Sequence, residues 1–145
     1  MAGATRDMNL SIQAAESALR ATETFIESQT DESLFDPPAE ANGTKGIYSQ
    51  TNDELKVFSS TWDDDNSAIA GSVEGDPLVL DGIASPPRYM IKKLEQIGDA
   101  TVFRVTVRGT GGTNNRATLL RSHYAKVFGA DSVGRLSWEQ LFPSQ

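Results

Sequence analysis

Residues 1–28, MAGATRDMNLSIQAAESALRATETFIES, decide the fold. Successive residues of a helix stand about 100° apart, which places Met8, Ile12, Ala15, Leu19 and Ile26 on one stripe. Leu10, Ala14, Ala18, Ala21 and Phe25 form a second stripe beside it. Together the stripes cover roughly 200° of arc, about twice what a surface helix needs to dock on one core. Asn9, Gln13, Glu16, Ser17, Arg20, Glu23, Thr24 and Glu27 fill the polar remainder. An apolar arc of that width predicts two partners: the body of this chain and something outside it. Met8, Ile12, Leu19 and Ile26 carry the longer side chains suited to filling a sheet's core. Leu10, Ala14, Ala18 and Ala21 are mostly small and let another helix approach closely. The larger stripe is therefore expected to serve the fold, and the alanine-rich stripe a partner helix. Thr5 or Asp7 is expected to cap the helix, which fades by Ser28–Asp31.

With 145 residues, 38% of them hydrophobic, the chain suits one domain with a modest core. A formal charge of −7 and a pI near 4.6 argue against attraction to nucleic acid or anionic lipid. The charge is uneven. Residues 88–145 carry nine Lys/Arg against four Asp/Glu (+5), and residues 1–87 four against sixteen (−12). Two readings stay open: an acidic half facing a basic half, or two solvated faces. Cysteine is absent, so neither disulfides nor thiolate chemistry are available. No stretch approaches the roughly 20 apolar residues of a membrane span.

Residues 29–46 hold Pro37-Pro38, Asn42-Gly43 and Gly46 and read as loop. Ile47-Tyr48 is a candidate short strand, and residues 52–62 fit either a strand or a short helix. Residues 63–87 are rich in Asp, Ser, Gly and Pro, with brief apolar runs such as Pro77–Leu80. Regular structure returns with RYMIKKLEQI (88–97), TVFRVTVR (101–108) and ATLLRSHYAKVF (117–128), read as a three-stranded antiparallel meander. In its middle strand Phe103, Val105 and Val107 face one way, Arg104, Thr106 and Arg108 the other. GTGGTNN (109–115) reads as the hairpin turn. Residues 129–145 read as a tail with a turn of helix near Ser137–Leu141.

Chemistry is sparse. His123 is the only histidine and has no Cys or second His to share a metal. Gly109-Thr110-Gly111-Gly112 joins two strands, so it lacks the helix N-terminus that would hold a phosphate. Asp63-Asp64-Asp65-Asn66 has oxygen ligands suited to calcium, but adjacent aspartates diverge and the EF-hand spacing is missing. Trp62 and Trp138 admit two readings, as ligand-stacking residues or as loop anchors. No catalytic residue, cofactor or metal site is expected, and no carboxylates are paired for acid–base work.

MAGATRDMNLSIQAAESALR (1–20) resembles MAGN-x-RDRN-LAFQAAEAALR, found just past the membrane helix of PilX-type minor pilins of the type IV pilus. Further matches follow in order. WDDDN (62–66) is similar to the family's Trp plus acidic loop, and PRYMIKKL (87–94) to its P-R-Y-I-I-E-x-L strand. FRVTVRGTGGTNNRATLLRSHY (103–124) resembles its Y-R-I-T-A-R-G-T-G-G … L-Q-S-T-Y strand pair, and GRLSWEQL (134–141) its closing G-R-x-S-W-R-E-L. The family's prepilin leader, Phe-methylation site and apolar N-terminal half-helix have no counterpart here, nor has the cysteine pair of many pilins.

The resemblance implies a pilin-like α+β roll: helix 5–28 across an antiparallel sheet from 88–128, with 29–87 an irregular connecting region and 129–145 a tail. It implies a structural, non-enzymatic role, assembling with other minor pilins (PilV-, PilW- and FimU-like) into the complex that primes pilus polymerisation and sits at the pilus tip. A large tip adhesin and the major pilin are further implied partners. The membrane would be engaged only through the absent N-terminal helix. The full-length protein would stand in the bacterial inner membrane facing the periplasm, then in the extracellular pilus serving adhesion or twitching motility, and the piece given would be soluble. Two alternatives stand beside this. One is a tip module binding a ligand or DNA through Arg104 and Arg108 with Lys92, Lys93, Arg116, Arg121 and Lys126. The other is a minor pseudopilin of type II secretion.

Overall fold

The computed structural model describes residues 2–54, 57–58, 61–71, 82–113, 117–129 and 134–143. The run Pro77–Leu80 and the turn residues 114–116 lie outside them. Helix α1 spans Ala2–Ser28. After Gly3 it contains neither glycine nor proline, and its hydroxyls bond back to the preceding turn: Ser11 Oγ to Met8 O (2.7 Å), Thr22 Oγ1 to Ala18 O (2.7 Å), Thr24 Oγ1 to Arg20 O (2.9 Å). The expected caps, Thr5 and Asp7, both lie inside α1. Asp7 Oδ1 instead accepts from the Gly112 N–H at 2.5 Å, tying the helix to the far end of the sheet.

Among the described residues six strands follow: β1 (Ile47–Tyr48), β2 (Ala68–Ile69), β3 (Arg88–Ile97), β4 (Ala100–Thr110), β5 (Ala117–Lys126) and β6 (Gly134–Leu141). They form one sheet in the order β1-β3-β4-β5-β6, with β2 also pairing β3. The β1–β3 pair is parallel and the others antiparallel. The chain is α+β, as the periodicity predicts. The expected meander strands are present, joined at Gly98-Asp99, where Gly98 adopts φ 61°. The tail differs from expectation: residues 134–141 form an edge strand paired to β5. The isolated pattern GRLSWEQL has neither a clean period of two nor one of 3.6. The pairing to β5 decides its state.

Central strand β4 is buried on both faces. Phe103, Val105 and Val107 meet α1 in the main core with Ala15, Ala18, Leu19, Ile26, Tyr89, Ile91 and Leu120. Phe35 closes this core from the 29–46 loop, its ring centroid 4.6 Å from that of Phe103. The opposite face is covered too: Tyr48 and Trp62 pack on Met90 and Leu119. Among its described residues the connecting region is irregular in backbone apart from β1 and β2, yet it builds part of both layers. Residues 52–54, 57–58 and 61–62 are neither helix nor strand.

Among the described residues six ion pairs stitch the halves together. Asp64–Arg88, Glu32–Lys93, Asp36–Lys93, Glu54–Arg104, Glu27–Lys126 and Glu23–Arg135 each join an acid from 1–87 to a base from 88–145. The charge asymmetry is thus, in these pairs, an acidic half folded onto a basic one.

Candidate interaction surfaces

The helix meets the sheet through its small residues. Ala14, Ala15 and Ala18 are fully buried, beside Leu19, Ile26 and Thr22. At Gly109 the sheet backbone comes so close that a β-carbon there would stand 2.7 Å from Ser11 O and 2.9 Å from Ala14 C. A β-carbon on Gly111 would lie 2.8 Å from Asp7 Cγ. Gly109 belongs to β4, not to the turn. Its missing side chain and the alanines opposite are two sides of one close contact.

This corrects the face assignment. Of Leu10, Ala14, Ala18 and Ala21, the expected partner-helix stripe, Ala14 and Ala18 lie against this chain's own sheet, and Leu10 and Ala21 are half-buried. The buried residues of both predicted stripes form one wide face against the sheet and its flanking loop. Conversely Met8, assigned to the core, is 50% exposed, and Ile12 is half-buried. Met8 points at nearly the same angle around α1 as Ile26, eighteen residues and about five turns further on. The difference is axial: at the level of Met8 the sheet face gives way to a groove.

That groove has a volume of about 950 Å³. Met8, Ser11 and Ile12 of α1 line one side; Val57, Phe58 and Trp62 line another. Thr118, Leu119, Leu141 and Phe142 contribute from the strand ends, and Arg108 lies among them. β6 pairing stops at Leu119↔Leu141, so Ala117 and Thr118 extend past it. Ser11 and Thr118 hydroxyls bond each other at 2.7 Å, and Trp62 Nε1 donates to Val57 O at 3.0 Å. Trp62 is thus an anchored wall, whereas Trp138 is 55% exposed on β6 beside Leu136, 54% exposed.

The basic residues of the sheet do not make an open stripe. Arg104 Nε donates to Glu54 Oε1 (2.6 Å) and Arg121 Nε to Thr106 Oγ1 (3.1 Å). Lys92 Nζ donates to the carbonyls of Ser49 and Gln50 (both 3.2 Å). Lys93 and Lys126 are held by Glu32, Asp36 and Glu27, and Arg116 lies outside the described residues. Burial pulls the Arg108 and Arg121 guanidinium pKa values down. A phosphate backbone needs such groups projecting together into solvent.

The remaining candidates close on themselves. Asp63 Oδ1 accepts from Asp65 N (3.0 Å), Asn66 Oδ1 from Asp63 N (3.0 Å), and Asp64 pairs with Arg88 at 2.8 Å. Among the described residues no three His, Cys, Asp or Glu side chains converge as metal ligands. His123 Nδ1 lies 3.3 Å from Ser137 Oγ. No helix among the described residues is long and apolar enough to cross a membrane. The sequence reading missed Phe58 and Phe142 as surface residues, because a lone apolar residue in a loop carries no periodic signal. No family model, curated protein or solved structure matches this chain.

Proposed function

We propose that this chain is the globular part of a minor pilin, with a pilin-like roll, that works by assembly with other pilin subunits. The observation that carries the reading is the course of α1. Asp7 meets the turn after β4, while Thr5 and Arg6, toward the N-terminus, are exposed. Met8 shares the helical angle of buried Ile26 yet is 50% exposed, so α1 reaches the limit of its own sheet there while its helix extends N-terminally to Ala2. The ordered sequence resemblances to PilX-type pilins, from the helix to the closing strand, support the same reading. A helix continuing beyond its domain is what a subunit needs to pack against neighbouring helices in a fibre. Its partners would be PilV-, PilW- and FimU-like minor pilins in a priming complex at the pilus tip.

No chemical step is involved; association rests on complementary burial. The domain's partner contacts then come from the N-terminal part of α1 and the strand edge, not from the alanine stripe. The test is sedimentation of the chain mixed with the globular domains of the PilV-, PilW- and FimU-like proteins of its own cell. The reading expects a joint boundary. Independent sedimentation of every component at tens of micromolar, with each domain folded, overturns it.

A further inference from the structure

Arg108 is the one charged residue among the described residues lining the 950 Å³ groove. It is half-buried, and among the described residues it has neither a hydrogen bond nor an ion pair. Its neighbours on the same sheet differ: Arg88 faces Asp64, Arg104 faces Glu54 and Arg135 faces Glu23. The fold has matched each of those guanidinium groups with a carboxylate and Arg121 with the Thr106 hydroxyl, and among the described residues has left Arg108 without a partner in the wall of the groove. A partly desolvated guanidinium is completed by a planar carboxylate, which takes two of its N–H donors at once.

We infer that this groove receives an extended peptide segment of a partner protein, with a carboxylate seated on Arg108 and apolar side chains against Met8, Ile12, Phe58 and Trp62. Two features favour a peptide over a fatty acid, the other ligand that joins a carboxylate to apolar surface. Thr61 and Gln140, both exposed, interleave with the apolar walls. An alkyl chain would take these polar groups out of water with nothing in return, whereas peptide amides can bond to them. The strand ends supply the second feature: β5 extends past the last β6 pairing at Leu119, giving an extended segment a neighbouring backbone to lie along. The inference rests on the groove alone and stands whether or not the chain belongs to a pilus.

The test is an amide and indole chemical-shift titration of the isotope-labelled chain with a probe pentapeptide, acetyl-Leu-Phe-Asp-Leu-Phe-amide, and with its Asn-for-Asp analogue. Sodium laurate is the third arm. The expected result is a saturable shift of the Trp62 indole and the Ile12 and Leu119 amides, with the Asn analogue about tenfold or more weaker. Arg108→Met should abolish the difference between the two peptides while leaving the melting temperature equal or higher, since no internal partner is lost. Equal binding of both peptides overturns the inference, as does saturation by laurate in preference to the peptide. A marked drop in melting temperature for Arg108→Met also overturns it, because the guanidinium would then be paired within the chain.

Discussion

Gly109 lies against Ser11 so closely that a β-carbon on the glycine would meet the serine carbonyl oxygen at 2.7 Å. The obstruction on the α1 side is backbone, which cannot rotate away. Gly109→Ala should therefore lift the helix off the sheet and cost about 2–4 kcal/mol. Gly112 is the control: its added β-carbon would meet Asp7 Oδ1 at 3.4 Å and Gly82 O at 3.5 Å. Gly112→Ala should cost less than about 1 kcal/mol. Urea denaturation of both variants checks this, and equal midpoints would place the helix elsewhere.

The alanine face makes a second prediction. Ala14 and Ala18 are fully buried, so Ala14→Glu with Ala18→Glu forces two carboxylates into the seam and should leave no cooperative melting transition. Leu19→Asp, at a site only 2% exposed, should cost about 3 kcal/mol or more. A double glutamate variant that keeps the parent melting temperature would return the alanine stripe to solvent.

Glu23 is the third case. Its position on the polar arc of α1 suggests a solvated residue whose loss would go unnoticed. In the fold it is 9% exposed, takes the Arg135 guanidinium at 2.8 and 2.5 Å and accepts from Ser122 Oγ at 3.2 Å. Glu23→Ala should cost about 1–2 kcal/mol, the upper part of the range being discounted because Arg135 keeps a third of its side chain in water. A double-mutant cycle with Arg135→Ala measures the shared part. A coupling of zero would mean that the pair is decorative.

These cases show what the sequence made legible. Strands β3, β4 and β5 were readable because β-branched and aromatic residues cluster between glycine-bearing turns, and α1 because its period is unbroken over seven turns. The division of the helix face was not readable. Periodicity reports an angle around the axis, while burial also depends on how far the sheet extends along it, which is what separates Met8 from Ile26. Glu23 was misplaced for a related reason: its partner Arg135 lies on β6, a strand identified only by its pairing to β5. Arg108 was legible as a strand residue facing away from α1, but not as a cation without a partner among the described residues. That depends on where Glu54 lands, and it lands on Arg104.

Alkaline pH should weaken the fold. Burial pushes the Tyr89 phenol up from 10.0 to about 12. Tyr124 is raised as well, by burial and then by its hydrogen bond to Glu27. At Lys93 burial acts downward, but Asp36 and Glu32 outweigh it and hold the ammonium above its usual value. All three groups bind their proton more tightly folded than unfolded, so their contribution is complete below about pH 10 and is lost as pH rises through the folded values. Tyr89 alone accounts for about 2–3 kcal/mol between pH 10 and 12. Tyrosinate absorbance should lag that of the urea-unfolded chain by about two pH units for part of its amplitude; superimposable curves would contradict the burial of Tyr89.

On the proposed function, α1 gives its alanine face to this domain and meets other subunits near Met8, where its sheet ends. The deciding measurement is sedimentation velocity of the chain with the proposed PilV-, PilW- and FimU-like partners, comparing the parent with Met8→Glu. Met8 is 50% exposed, so the variant should keep its melting temperature. A joint boundary is expected for the parent, and its loss for Met8→Glu. A parent that never joins its partners, or a Met8→Glu variant that joins them equally well, would contradict it.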